Sequence, residues 1–535
     1  MARRWSRYLE LGLLALFWLT VVRNAWACDD AYIYLRSVEQ LWAGHGPVWN
    51  ASWRVQTFTS PLWYGVLVVL RAWIADGYLL LLVSSLLFVG LLVWIWRASL
   101  PLAARIALWI SWLVSNAFMD YTTSGLETAL AYSMLSAGLI AFIRGQWRHD
   151  PRAYSRLYIW LAGMLLVRAD LVFLVAPVYL ALVLGRRHEP RLVLRSHAGA
   201  ALLLGAWYGF AWVYYGSPFP NPAYAKLFHG LPRRVLLHQG GLYWMGQFLL
   251  DPVTYGLALL AAGVLLRRRA YALVSGAGFY AAYLTWIGGD FMAGRFPALL
   301  YLWLVGGALL HMPPWLTQGR GRAWALAAAA LYGLFFPHTP LNSPIDYYVD
   351  ASFYLHWGVG DERGRYYRYT SVFAYLYWRW ARPQPFFPPY AWSQQGWTFR
   401  HSEEKLAVVD SVGMFGYWSG TDKWVIDVWA LTDPFLARLP DADGRLWRPG
   451  HYERALPEGY VPTLLTGHVH LHDPELRSLY VLSEWATRKP VFHPQRWRYL
   501  PAWLFARAPR SALEARSSSY PINATPAAAR VTHAR

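Results

Sequence analysis

The sequence predicts a polytopic α-helical membrane protein with about eleven transmembrane helices and a C-terminal extracytoplasmic α/β domain. Three observations carry that prediction. First, 56% of the 535 residues are hydrophobic and only 15% are charged, well below the roughly 25% charged of an ordinary soluble domain. Second, apolar runs close to the length of a bilayer span recur along residues 8–336. Third, arginines cluster between those runs in the pattern of cytoplasmic loops, as the positive-inside rule requires.

The same numbers exclude other classes. Mean hydropathy is +0.22, which rules out intrinsic disorder. Cys28 is the only cysteine, so an internal disulfide and a thiolate zinc site are excluded. The formal net charge is +19, from 49 basic and 30 acidic residues. No basic groove or recognition motif accompanies that charge, so no nucleic-acid partner is expected. The 33 tryptophans suit interfacial belts and sugar-stacking surfaces.

The elements follow in order. Arg3, Arg4 and Arg7 precede an apolar stretch that runs to Trp26, a retained signal anchor with a cytoplasmic N-terminus. Further spans are expected near 78–96, 103–119, 126–143, 156–167, 170–185, 193–215, 252–266, 271–288, 295–311 and 322–336. The apolar segment 61–75 begins at Pro61 and predicts a helix lying on the outer face. Eighteen of the 27 basic residues before position 337 fall on the predicted inner side, and nine of the twelve acids there fall at or beyond the outer face. Orientation follows Lys and Arg alone, so acids gathered on one side need another cause.

Residues 1–336 are therefore expected to form the transmembrane domain, with a catalytic outer loop at 27–60. Residues 337–508 are expected to form a soluble periplasmic domain, and 509–535 a disordered tail. Segments Leu406–Met414 and Trp424–Leu431 predict β-strands, and helix is expected near 366–380. His468, His470 and His472 alternate and would share one face of a strand.

The outer acids suggest a site. Asp29 and Asp30 follow the first span directly. Adjacent helical residues diverge by roughly 100°, so one carboxylate could face a reacting centre while its neighbour holds a metal, a hydroxyl or an arginine. The plainer alternative is an N-cap followed by an acidic first turn. Glu127, Asp170 and Asp290 lie in other predicted outer loops. Arg168, Lys226 and Arg295 could clamp a lipid phosphate at the membrane surface, unless each arginine pairs with a neighbouring acid, as Arg168 could with Asp170. Gly288, Gly289 and Gly294 would let backbone approach a ligand closely.

Taken together these segments resemble a known family. The runs DDAYIYLR (29–36), GHGPVWN (44–50), TFTSPLW (57–63), SGLE (124–127), PNPAYAK (220–226), GGDFM (288–292) with Arg295, DSVG (410–413), Asp427 and LTDP (431–434) are similar to motifs of the polyprenyl-phosphate-dependent arabinofuranosyltransferases. Among these, they resemble the terminal β-(1→2)-arabinofuranosyltransferase family of mycobacteria. One departure is Arg168-Ala169-Asp170, where that family often has Arg-Pro-acid.

The resemblance implies a GT-C glycosyltransferase fold in the bacterial inner membrane, with its active site on the outer face. It implies a polyprenyl-phosphate sugar donor, D-arabinofuranose being the expected sugar, and a cell-envelope glycan or pilin acceptor. It places catalysis on Asp29 and Asp30, with donor phosphate expected at Arg295, Lys226 and Arg168. Substrate contacts are expected at Glu127, Asp290, Asn221, His45 and Thr59. No cofactor is assigned, and a divalent cation (Mg2+, Mn2+ or Ca2+) is compatible with two aspartates. A protein O-glycosyltransferase of the same fold and a lipid-linked sugar flippase are the alternatives; the flippase would favour ionisable residues at the bilayer midplane.

Overall fold

The computed structural model describes residues 2–312, 331–336, 339–342, 351–441 and 449–508. Most of the expected span 322–336, and the expected tail 509–535, lie outside the described residues. The chain divides into two compact units that interleave in sequence. One comprises Met1–Cys28, Ala72–Leu204 and Leu236–Ala381; the other comprises Asp29–Arg71, Gly205–Val235 and Arg382–Arg535.

The first unit is a set of packed apolar helices. Helices Ala2–Arg23, Gly77–Ser99, Thr128–Arg144, Pro151–Leu165, Leu171–Gly185, Pro252–Arg267, Tyr271–Trp286 and Pro297–Leu310 fall where the hydrophobic runs predict them. Among the described residues, Trp5–Arg23 and Gly77–Ser99 are each long and apolar enough to cross a membrane alone. Arg233–Leu250 and Pro252–Arg267 would make a third span as a pair bent by 107°. The bend has a local cause. Pro252 has no amide to continue the preceding helix, and Asp251 caps the new one through Thr254 N at 3.2 Å.

The expected span 103–119 is not one helix. It is Leu102–Leu113 followed by Asn116–Asp120. The Ser115 hydroxyl accepts from Phe118 N at 3.2 Å and starts a new short helix, an alternative to helix continuation that serine offers readily. Close helix contacts in this unit rest on small residues. A Cβ at Gly276 would collide with the Leu174 carbonyl, and one at Gly306 would meet the Trp96 ring.

The second unit holds the only strands among the described residues. Leu406–Val409 and Trp424–Asp427 pair in parallel, with Leu406 opposite Trp424 and Val409 opposite Asp427. Both are shorter than the sequence predicts. Gly413 opens the helix Gly413–Trp418. The Asp427 carboxylate turns the chain by accepting from Leu431 N at 2.7 Å and Thr432 N at 2.8 Å. Val408, Ile426, Phe435, Tyr460, Tyr480 and Trp503 form the core around the strand pair. The helix expected near 366–380 is present as Glu362–Thr370 and Val372–Trp380 in the first unit.

Arg36 ties the second unit together. It is fully buried and donates to the carbonyls of Trp49 (3.0 Å), Gly420 (2.7 Å), Lys423 (2.6 Å) and Gly416, and to Asn50 Oδ1 (3.2 Å). A buried guanidinium needs such saturation. Burial pulls it down to about 9, against the opposing pull of Asp422.

The alternating histidines do not form a strand. Residues 468–472 are an irregular segment between helices Tyr460–Thr466 and Pro474–Thr487. His470 Nε2 meets Thr466 Oγ1 at 2.9 Å, and all three histidines are exposed while Leu471 between them is buried.

Candidate functional site

In the first unit, five of the residues singled out in the sequence come together. Glu127 is the residue before helix Thr128–Arg144, and Arg168 and Asp170 occupy the turn before Leu171–Gly185. Arg168 Nη1 donates to Glu127 Oε1 at 3.2 Å, while Nε and Nη2 grip the two Asp170 oxygens at 3.1 and 3.0 Å. Tyr280 donates to Asp170 Oδ2 at 2.8 Å. Arg295 approaches Glu127 Oε1 and Asp290 Oδ2 more loosely, each at 3.9 Å. Phe296 lies under both guanidinia, 4.3 Å from Arg168 and 5.8 Å from Arg295. The cluster is buried, which strengthens every charge interaction inside it.

The loop carrying Asp290 and Arg295 depends on glycine. Gly288, Gly289 and Gly294 have φ of +84°, +82° and +79°. A Cβ at Gly289 would enter the Tyr243 ring, and one at Gly294 would strike the Ala117 backbone. Gly294 N donates to Gln247 Oε1 at 2.9 Å. The same loop pairs with Gly360, which donates to Phe291 O at 2.8 Å and accepts from Ala293 N at 2.9 Å.

That pairing brings in residues the sequence analysis did not single out. Asp361 is buried, and burial, followed by the nearby Asp120 charge, pushes its carboxyl up to about 8. Arg363 Nε lies 3.7 Å from Asp120 Oδ1. Tyr121 is buried among the charges of Arg295, Asp290, Glu362 and Asp120, and burial above all holds its hydroxyl protonated. A glycine preceding the charged run Asp361-Glu362-Arg363 was the signal that could have pointed here.

The second unit holds Asp29, Asp30, His45, Thr59, Asn221 and Lys226. Asp29 and Asp30 open helix Asp29–Trp42 as its acidic first turn. The two are not equivalent. Asp29 accepts from Gly413 N with Oδ2 (3.0 Å) and from Met414 N with Oδ1 (2.7 Å). Both aspartates are partly exposed. His45 is exposed, with Nδ1 2.6 Å from Gln40 Oε1. Thr59 is exposed, 3.2 Å from the Tyr34 hydroxyl. Lys226 is exposed in the last turn of Asn221–Leu227.

Asn221 holds the turn after the second strand. Its amide donates to the carbonyls of Ala430, Leu431 and Asp433 at 2.9, 3.1 and 3.1 Å. Asp433 in turn accepts from Phe435 N, Leu436 N and the Tyr460 hydroxyl at 2.9, 2.8 and 2.6 Å. The Asn-Pro and Thr-Asp-Pro motifs thus meet, and their contacts lock a loop. Among the described residues, no three His, Cys, Asp or Glu side chains converge in a way that could hold a metal.

These features define a class: a helical protein with membrane-compatible apolar helices and a buried network of arginines, carboxylates and tyrosines. The particular relatives are two proteins called terminal beta-(1->2)-arabinofuranosyltransferase. The chain is 31% identical to the one from Mycobacterium tuberculosis over 225 residues, which is 38% of this chain and 35% of that relative. It is 34% identical to the one from Corynebacterium glutamicum over 143 residues, 24% of this chain and 20% of the relative. The chain thus matches well under two thirds of either relative's length. No family model matches. No solved structure matches. The resemblance drawn from the motifs is therefore supported by extended similarity to both relatives.

Proposed function

We propose that the protein is an inner-membrane glycosyltransferase that moves D-arabinofuranose from a polyprenyl-phosphate donor to a cell-envelope glycan on the outer face. The observation that carries this is the similarity to two arabinofuranosyltransferases, joined to the arginine–carboxylate network that several of the shared motifs build. In such a transfer the bond between the anomeric carbon and a phosphate oxygen breaks. The acceptor oxygen bonds to that carbon, and the lipid phosphate leaves with the bonding electron pair. The leaving group already carries negative charge, so it needs cations more than a strong acid. The oxocarbenium-like carbon needs a carboxylate, and the acceptor proton needs a base within hydrogen-bond reach.

Arg295, buried beside Glu127 and Asp290, is the phosphate-binding arginine of the first unit. Arg168, closely bound to Glu127 and Asp170, positions Glu127 and adds charge behind Arg295. Glu127 and Asp290 are the sugar-facing acids. In the second unit Lys226 is the phosphate cation, and His45 and Thr59 contact substrate. Asp30 takes the role at the reacting centre, and Asp29, whose two oxygens accept the amides of Gly413 and Met414, sets the backbone that presents it. No step is routed through a metal.

The test is transfer by the purified full chain from defined polyprenyl-phosphate sugars to arabinan and pilin acceptors. Transfer of arabinofuranose to the glycan, abolished by Asp30→Asn with folding intact, is the expected result. Activity with a nucleotide sugar alone, or an unimpaired Asp30→Asn enzyme, would sink the proposal. Transfer to pilin but not to glycan would replace the acceptor by a protein.

A further inference from the structure

Helix Val372–Trp380 carries an apolar stripe that is left exposed among the described residues. It buries Ala374 and Tyr375 and exposes Phe373, Leu376, Tyr377 and Trp380, with Trp380 83% and Phe373 54% exposed. These positions recur at helical spacing, so they line one face. Solvated domains rarely leave a row of large aromatics bare without a use.

The buried side of this helix is fixed to the start of the strongest membrane-crossing candidate. Tyr375 donates to Asp76 Oδ2 at 3.1 Å, and Asp76 is the N-cap of Gly77–Ser99. The Tyr375 ring stacks on Tyr78, with centroids 4.9 Å apart and planes at 22°. Gly77–Ser99 exposes Leu87, Leu91 and Trp94 along its length, an apolar side for which lipid is the natural solvent. Trp73, three residues before the cap, is 75% exposed. The stripe on Val372–Trp380 therefore continues a lipid-facing surface at the level where that helix begins.

We infer that helix Val372–Trp380 lies in the headgroup–acyl boundary of the bilayer, as an interfacial anchor at the end of the Gly77–Ser99 span. The occupant of the stripe is lipid. Tryptophan and tyrosine rings with one apolar and one polar edge concentrate at that depth, and short amphipathic helices bury their apolar face there. Arg379 is exposed beside the stripe, where it would meet anionic headgroups. This rests on Gly77–Ser99 crossing the membrane and not on the chemistry of transfer.

The test uses the full chain in nanodiscs of phosphatidylcholine and phosphatidylglycerol, in a Cys28→Ser background. An environment-sensitive fluorophore is attached at Trp380→Cys or Leu376→Cys, both exposed positions. Leu91→Cys reports the span, and Glu475→Cys reports water. The expected result is blue-shifted emission at 376 and 380, quenched by lipids spin-labelled near the headgroup and protected from iodide. Water-like emission quenched by iodide at 376 and 380, with Leu91→Cys still quenched by lipid, overturns the anchor alone. Loss of lipid quenching at Leu91→Cys as well overturns the span on which it rests. A blue shift without lipid quenching would mean that a second copy covers the stripe, and also overturns the anchor.

Discussion

Arg168 and Glu127 are joined by a buried hydrogen bond of 3.2 Å across 41 residues of chain. The same guanidinium grips Asp170 with its two remaining edges. Two acids on different helices are thereby fixed by one cation. Truncating one partner of a buried pair leaves the other charges uncompensated, at a cost of roughly 3–5 kcal/mol. Arg168→Ala should therefore lower the thermal midpoint of the purified protein sharply and abolish transfer. Arg168→Lys keeps the charge but not the two-pronged grip, and should fall between. An unchanged midpoint in Arg168→Ala would remove the pair from the structural account.

Asp29 and Asp30 should separate under substitution. Asp29→Ala loses both bonds to the amides of Gly413 and Met414. Bonds to a charged acceptor are worth about 1.5–3 kcal/mol each, less here because the group is partly exposed, so roughly 2 kcal/mol in all. Asp30→Asn keeps the side chain's size, and should lower the melting temperature less than Asp29→Ala while removing transfer. Melting curves and transfer rates on the two variants check this together, and equal destabilisation by both would erase the distinction.

Asp433 should make stability depend on pH. Burial raises its carboxyl from 3.8 to about 7, against the opposing bonds from Tyr460, Leu436 and Phe435. Between those values the folded chain binds more protons than the unfolded one, so stability falls as pH rises. The contribution is complete below 3.8 and is lost as pH climbs through about 7. Asp433→Asn cannot ionise, and its melting temperature should fall less steeply across that window. Parallel pH profiles for wild type and variant would refute the assignment.

Gly289 tests the Asp290 loop. Its φ of +82° costs an L-residue roughly 1–2 kcal/mol, and a Cβ would also enter the Tyr243 ring. Gly44 has a similar φ of +85° with nothing within 4 Å of a Cβ. Gly289→Ala should therefore destabilise more than Gly44→Ala, and should depress transfer through the displaced Asp290. Equal shifts in melting temperature would show that the ring yields.

Much of the architecture is legible in the residues. Apolar runs bounded by Asp76, Asp150-Pro151 and Asp251-Pro252 become capped helices because a capping acid, joined in the last two by a proline, acts within one turn of where it stands. The strands at 406–409 and 424–427 show themselves by β-branched runs. The break at Ser115 escapes periodicity, because one hydroxyl bonding to an amide three residues on decides it. The alternating histidines keep the exposure pattern of a strand, with Leu471 buried between exposed His470 and His472, but among the described residues no strand pairs with them.

The chain's composition and charge layout alone required apolar helices, arginines between them and acids near their ends, since each depends only on a residue's own preference for water, lipid or helix terminus. Which partner each charge takes came from folding. Arg168 holds Glu127, Asp29 rather than Asp30 accepts the Gly413 amide, and Asp361 lies close enough to Asp120 to feel its charge, across 41, 384 and 241 residues of chain. Contacts between segments so far apart are set by how helices pack and loops close, and no local pattern records them.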